Sequence, residues 1–118
     1  MATSKAFLDT NVLIYLASGN PDRVGRSEEV LSGGGVISVQ VLNEFVNTTR
    51  SKYAFDWDAV ETWLELFRSR LDVEPMTVET QARAVTIARR HQIHIYDATI
   101  IAAAAQAGCD VQIGRAHV

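Results

Sequence analysis

Short apolar runs that lead directly into stretches of helical spacing limit the fold of this chain more than any other feature. "AFL" (6–8) and "VISV" (36–39) are too short for helices and too apolar for loops, so both read as buried strands. After the first, Asp9, Thr10 and Asn11 lead into a helix predicted from about Asn11 to Ala17. "SGNPD" (18–22) is a loop, and a short helix near Gly25–Leu31 should stop at the "GGG" of 33–35. Ser38 is placed to cap "QVLNEFVNTTR", whose Val41, Leu42, Phe45 and Val46 share one helical face. Asp58 and Glu61 have capping-box spacing, ahead of Val60, Trp63, Leu64, Phe67 and Leu71 at intervals of three and four. "DVEP" (72–75) predicts an edge strand closed by Pro75. Thr77 caps a helix running to about His91, and another runs from near Tyr96 to before Gly108, a position that suits a left-handed helix end. "CDVQI" (109–113) starts a fourth strand. Buried strands alternating with helices specify an α/β domain on a parallel sheet.

At 118 residues the chain makes one domain, and 47% apolar content gives it a core. The net charge of −3 provides no basic footprint for nucleic acid. That argues against binding driven by surface charge. It leaves open a nuclease, which can hold phosphate through a metal ion. One cysteine, Cys109, excludes an internal disulfide and fits a reducing compartment. The "MATSKAFLD" start lacks a signal peptide's apolar stretch, and no apolar run nears the roughly 20 residues needed to span a bilayer. The chain reads as soluble and cytoplasmic.

Three acids stand in apolar company: Asp9 in "FLDTNVLIYL", Glu44 in "VLNEFVN" and Asp97 in "IYDATIIAAAA". Asp9 falls at the carboxyl end of the first strand, where ligand sites of parallel α/β sheets form. Glu44 lies at the margin of a buried helical face. Asp97 is in the first turn of a very apolar helix, at the positive end of its dipole. Each has an ordinary explanation alone. Asp9 and Asp97 can cap helices, and Glu44 can pair with Arg50 or Arg90. If the three met at one strand edge, they would repel unless a cation lay between them. Oxygen ligands without His or Cys suit Mg²⁺ or Mn²⁺.

"FLDTNVLIYL", "ISVQVLNEFVNT" and "IHIYDATIIAAAAQAGCDV", in this order, resemble the PIN-domain family and within it the VapC-type toxins of bacterial toxin–antitoxin pairs. The resemblance covers about residues 5 to 111. It implies a three-layer α/β/α domain with a short, mostly parallel central sheet. It also implies a metal-dependent endoribonuclease in which Asp9, Glu44 and Asp97 hold Mg²⁺ or Mn²⁺ and a bound water attacks an RNA phosphodiester. Asn11 and Ser38 would orient these carboxylates. A homodimer and a small antitoxin protein that plugs the acidic site are implied as partners.

The chain departs from the family after "GCDV", where a further strand and a fourth acid are usual. Residues 1–112 are therefore read as a domain whose C-terminal strand is truncated, and 113–118 as a non-native tail. "IGRAHV" is what ATC GGA AGA GCA CAC GTC encodes, which resembles a sequencing-library adapter read as protein; His117 is discounted as a ligand for that reason. The missing acid supports the rival reading, a non-catalytic interaction module or an inactive truncated toxin. A phosphohydrolase with Asp9 as nucleophile is a weaker rival, since Asn11 stands where a second Asp is needed and no suitable Gly-rich phosphate loop is present.

Other residues read as structural. His91 and His94 fit helix ends, and Arg89 and Arg90 suit a helix C-terminus. Arg23, Arg26, Arg50 and Lys52 read as solvated surface, Trp57 and Trp63 as packing or dimer contacts, and Cys109 as an inert buried thiol. An independent read of the source DNA is expected to continue past codon 112 into a Ser/Thr-rich acidic stretch. A stop after codon 118 on genomic DNA would make the tail native.

Overall fold

The computed structural model describes residues 5–18 and 29–111. Strands β1 (Ala6–Phe7), β2 (Val36–Ser38), β3 (Asp72–Glu74) and β4 (Asp110–Val111) form one sheet in the order β3-β2-β1-β4. Every pairing is parallel, with Phe7 beside Val36, Ile37 beside Val73 and Ala6 beside Asp110. Helices α1 (Thr10–Ala17), α2 (Val39–Ser51), α3 (Trp57–Arg70), α4 (Val78–His91) and α5 (Ile95–Gln106) supply most of the mass. The domain is thus helix-rich α/β around a short parallel sheet, as the sequence predicts. Residues 29–32 are helical and end at the glycines before β2. The rest of the helix predicted at Gly25–Leu31, most of "SGNPD", Arg23, Arg26 and residues 112–118 lie outside the described residues.

Two- and three-residue strands bury little by themselves, so the helices close the core. Phe7 and Ile37 of the sheet meet Leu13 and Leu16 of α1, Val41 and Phe45 of α2, Phe67 of α3, and Ile100 and Ala104 of α5. Phe45 and Phe67 are fully buried and meet edge to face, with ring centroids 5.1 Å apart and an interplanar angle of 88°. That geometry sets the positive ring edge against the negative face, adding about 0.5–1.5 kcal/mol beyond area burial. Trp63 leans on Phe67 at 5.7 Å, the packing role expected of it. A second cluster, Ala84, Ala98 and Ala102, joins α4 to α5 through small side chains that let the two helices approach closely.

Caps account for where the helices begin, and three starts differ from expectation. Asp9 itself caps α1, so the helix starts at Thr10. Asp56, not Asp58, caps α3: its carboxylate accepts from the Ala59 amide at 2.8 Å. Asp58 sits inside the first turn, and Glu61 instead pairs with exposed Arg68 at 3.8 Å. The earlier start follows from the preceding turn. There Ala54 takes a positive φ of 55° and the Phe55 amide bonds back to the Thr49 carbonyl. His94 caps α5 through Nδ1, which accepts from the Tyr96 amide at 3.1 Å. Thr77 begins α4 as predicted, in a reciprocal box with Thr80.

Gly108 takes φ 72° after α5. Its amide donates to the Ala105 carbonyl and the Cys109 amide to the Ala104 carbonyl. This paired 5→2 and 6→1 arrangement closes the helix and turns the chain into β4. Cys109 is half-buried, more open than the sequence suggests. Gly108→Ala is expected to lower unfolding free energy by about 1–2 kcal/mol, the penalty of a side chain in the left-handed region. Urea denaturation of the two proteins measures it; an unchanged midpoint would show that the turn relaxes.

Candidate functional site

In the strand order β3-β2-β1-β4 the chain runs one way from β1 to β2 and β3, then returns to the other side of β1 for β4. Such a switch point leaves a crevice outside the carboxyl ends of the two strands that flank it. Asp9 follows β1 by two residues and stands at this crevice. It is buried, at 8% exposure, and its Oδ1 accepts from the Thr10 amide at 2.6 Å. The ordinary explanation therefore holds for Asp9: it caps α1.

Glu44 comes from α2. The buried stripe Val41, Phe45 and Thr49 fixes how that helix lies on the core, which leaves Glu44 at the stripe's edge, half-buried. Among the described residues no arginine pairs with it. Its Oε1 accepts from the Thr10 hydroxyl at 3.1 Å and its Oε2 from the Gln40 carboxamide at 3.0 Å. Arg50 instead donates to the Phe55 carbonyl and lies 4.4 Å over the Trp57 ring. Asp9 and Glu44 thus converge on one residue, Thr10, by its amide and its hydroxyl. Among the described residues no Lys, Arg or His forms a salt bridge with either carboxylate.

Asp97 lies in the first turn of α5 and is exposed. His94 has taken the capping position, so Asp97 is not a cap. Its carboxylate has no hydrogen-bond or ion-pair partner among the described residues. Its neighbour Tyr96 helps line a cavity of about 290 Å³ together with Gln40, Asn43, Glu44 and Asn47. Among the described residues no three His, Cys, Asp or Glu side chains stand close enough together to hold a metal ion. The structure therefore pairs Asp9 with Glu44 and leaves Asp97 apart. A larger open hollow, about 650 Å³, is lined by Glu65, Leu66, Arg68 and Ser69 and includes none of the three acids.

Of the predicted orienting residues, Ser38 is 1% exposed, and its hydroxyl accepts from the Val41 amide at 3.2 Å. It acts on Glu44 through the helix it caps. Asn11 is exposed in the first turn of α1 beside Asp9. Sequence reasoning missed Thr10 and Gln40 as the groups that hold Glu44. Gln40 was findable, since it precedes Glu44 by four residues on a helix. Thr10 was not, because its partner is 34 residues away.

The fold is thus a parallel α/β domain that brings Asp9 and Glu44 together on Thr10 beside its switch point, with no cationic side chain paired to either among the described residues. The chain belongs to the PIN domain family, whose model matches residues 6–111. No curated protein matches the chain by sequence. The fold is similar to that of Mycobacterium tuberculosis VapC20, a sarcin-ricin loop cleaving toxin, at 20% identity and TM-score 0.66 over 88% of this chain and 84% of that one. It is also similar to VapBC2 from Rickettsia felis, solved bound to a DNA fragment from its promoter, at 22% identity and TM-score 0.65 over 90% and 84%. At these identities the likeness is one of fold. No described helix is long and apolar enough to cross a membrane.

The bond from Thr10 to Glu44 is expected to tie α1 to α2. In a double-mutant cycle of Thr10→Val and Glu44→Ala, unfolding free energies should show a coupling of about 1 kcal/mol. Strict additivity would mean the hydroxyl and carboxylate do not interact in solution.

Proposed function

We propose that this protein is a metal-dependent endoribonuclease, the toxin of a toxin–antitoxin pair, in which Asp9, Glu44 and Asp97 hold Mg²⁺ or Mn²⁺. One observation carries the reading: Asp9 and Glu44 meet on Thr10 with no cationic side chain paired to either among the described residues. Two carboxylates so placed favour a bound cation. The donor set fits a hard divalent ion, since all three groups offer oxygen and neither His nor Cys is among them. A divalent ion held there would supply charge neutralisation at a phosphodiester and lower the pKa of a water so that it gives up a proton and attacks as hydroxide.

The chain's own residues do the rest. The Thr10 amide and hydroxyl fix one oxygen of Asp9 and one of Glu44, which keeps both carboxylates from turning away. Gln40 fixes the other oxygen of Glu44. Ser38 secures the first turn of the helix that carries Glu44, and Asn11, exposed two residues after Asp9, would reach Asp9 only on binding of the ion. Asp97, exposed in the first turn of α5 and without an internal partner among the described residues, would complete the set when the ion is bound. The substrate is RNA. The partners are a second copy of the chain and an antitoxin protein that covers the acidic site, and the setting is the cytoplasm. Membership of the PIN domain family and likeness in fold to VapC20 support this assignment.

The separation of Asp97 from the other two acids favours one alternative, an interaction module that keeps the fold without the chemistry. The two readings divide on a cleavage assay with single-stranded RNA and Mg²⁺ or Mn²⁺. The nuclease is expected to cut, to stop on chelation, and to lose at least about 100-fold in rate in Asp9→Asn, Glu44→Gln and Asp97→Asn, the scale of removing one charge-stabilising group. Cutting that persists without metal, or in all three variants, overturns the assignment. A folded chain that neither binds the ion nor cuts is the interaction module.

A further inference from the structure

The cavity beside Glu44 differs in chemistry from the acid pair it adjoins. Gln40, Asn43, Glu44 and Asn47 recur at intervals of three and four, so they form one stripe along α2. The core-facing stripe of the same helix is Val41, Phe45 and Thr49. Across the cavity stands Tyr96 at the start of α5, 56% exposed. Its ring rests against His94, with centroids 4.7 Å apart, and His94 is held by accepting from the Tyr96 amide. A large aromatic ring is therefore braced in an exposed position. The Gln40 carboxamide is committed to Glu44. The carboxamides of Asn43 and Asn47 have no hydrogen-bond partner among the described residues.

This lining selects a type of ligand. Among the described residues it contains no Lys, Arg or His, so a phosphate or carboxylate finds no counter-charge from them and meets the negative charge of Glu44. It is not an apolar slot either, since four of its five described lining residues carry amide or carboxylate groups. Each free carboxamide offers both a donor and an acceptor, the pairing needed to meet the edge of a heterocyclic base. An aromatic side chain offers the flat surface on which an unstacked base rests. A volume of about 290 Å³ admits one small ring system.

We propose that this cavity is a nucleobase subsite for one unpaired nucleotide of single-stranded RNA. Tyr96 stacks the base, and Asn43 and Asn47 read its edge. The subsite rests on the endoribonuclease reading for its substrate and adds a determinant of sequence preference to it. Because Glu44 belongs to both the acid pair and the cavity, the nucleotide read there adjoins the phosphodiester that is cut.

The test separates binding from cutting. The full chain, labelled with ¹⁵N and free of divalent metal, is titrated with the four homopolymeric ribotrinucleotides and with ribose 5-phosphate. The side-chain amide signals of Asn43 and Asn47 are followed, assigned by their loss in Asn43→Ser and Asn47→Ser. The expected result is saturable movement of both signals, at least about tenfold tighter for one base than for the weakest. Tyr96→Ala should weaken every trinucleotide by about tenfold, and Tyr96→Phe should restore binding, as stacking requires. Still signals, movement equal for all four bases, or the same movement with ribose 5-phosphate overturns the subsite. Binding with the expected preference but no RNA cleavage on adding Mg²⁺ or Mn²⁺ leaves the subsite standing and removes the nuclease assignment. Cleavage with no binding response at Asn43 and Asn47 does the reverse.

Discussion

Phe45 ties the core to the site. Its ring is fully buried and meets Phe67 edge to face, and that contact fixes the rotation of α2 about its own axis. Glu44 precedes it by one residue, so a fixed Phe45 leaves Glu44 about 100° away around the helix, at the border of core and solvent. An acid at that border is shielded enough to be held by neighbours and open enough to meet a ligand. The same rotation sets Gln40, Asn43 and Asn47 along the cavity. A packing choice made in apolar residues thereby decides where the polar chemistry of the helix points.

The sheet contributes position more than burial. Its strands of two or three residues are long enough to fix a parallel register and little else. With β2 on one side of β1 and β4 on the other, the chain leaves β1 at a switch point, and Asp9 is among the first residues out. Capping and ligand binding are compatible at Asp9 because only one of its oxygens is used by the Thr10 amide. The two explanations, rivals from sequence, are not exclusive: the cap engages Oδ1, and Oδ2 has no hydrogen-bond partner among the described residues.

What was legible in the sequence follows the range of the interactions involved. Strand–helix alternation, the Thr77 cap and the left-handed Gly108 are local, and all are found where the spacing puts them. The α3 cap is local too, yet Asp58 was chosen over Asp56. Both acids precede apolar periodic residues, and the deciding feature is the return bond from Phe55 to Thr49, which spacing does not reveal. At Asp97 an acid in a first turn suggested capping, but a histidine three residues earlier holds that place. The link between Thr10 and Glu44 depends on how α1 and α2 pack, and no local pattern contains it.

The way Glu44 is held bears on what it can do. An arginine in its place of contact would fix the carboxylate and also cancel its charge. Thr10 and Gln40 fix it through neutral donors, each on a different oxygen. Each oxygen keeps a further lone pair, and the net charge of the group stays available. Asp97 reaches the same end by having no internal partner among the described residues. The overall charge of −3 gives this chain no general attraction for a polyanion. On the endoribonuclease reading, attraction for the RNA phosphates would then come from a cation held by the acids, which no described Lys, Arg or His neutralises, and the base would be held separately at the neighbouring cavity.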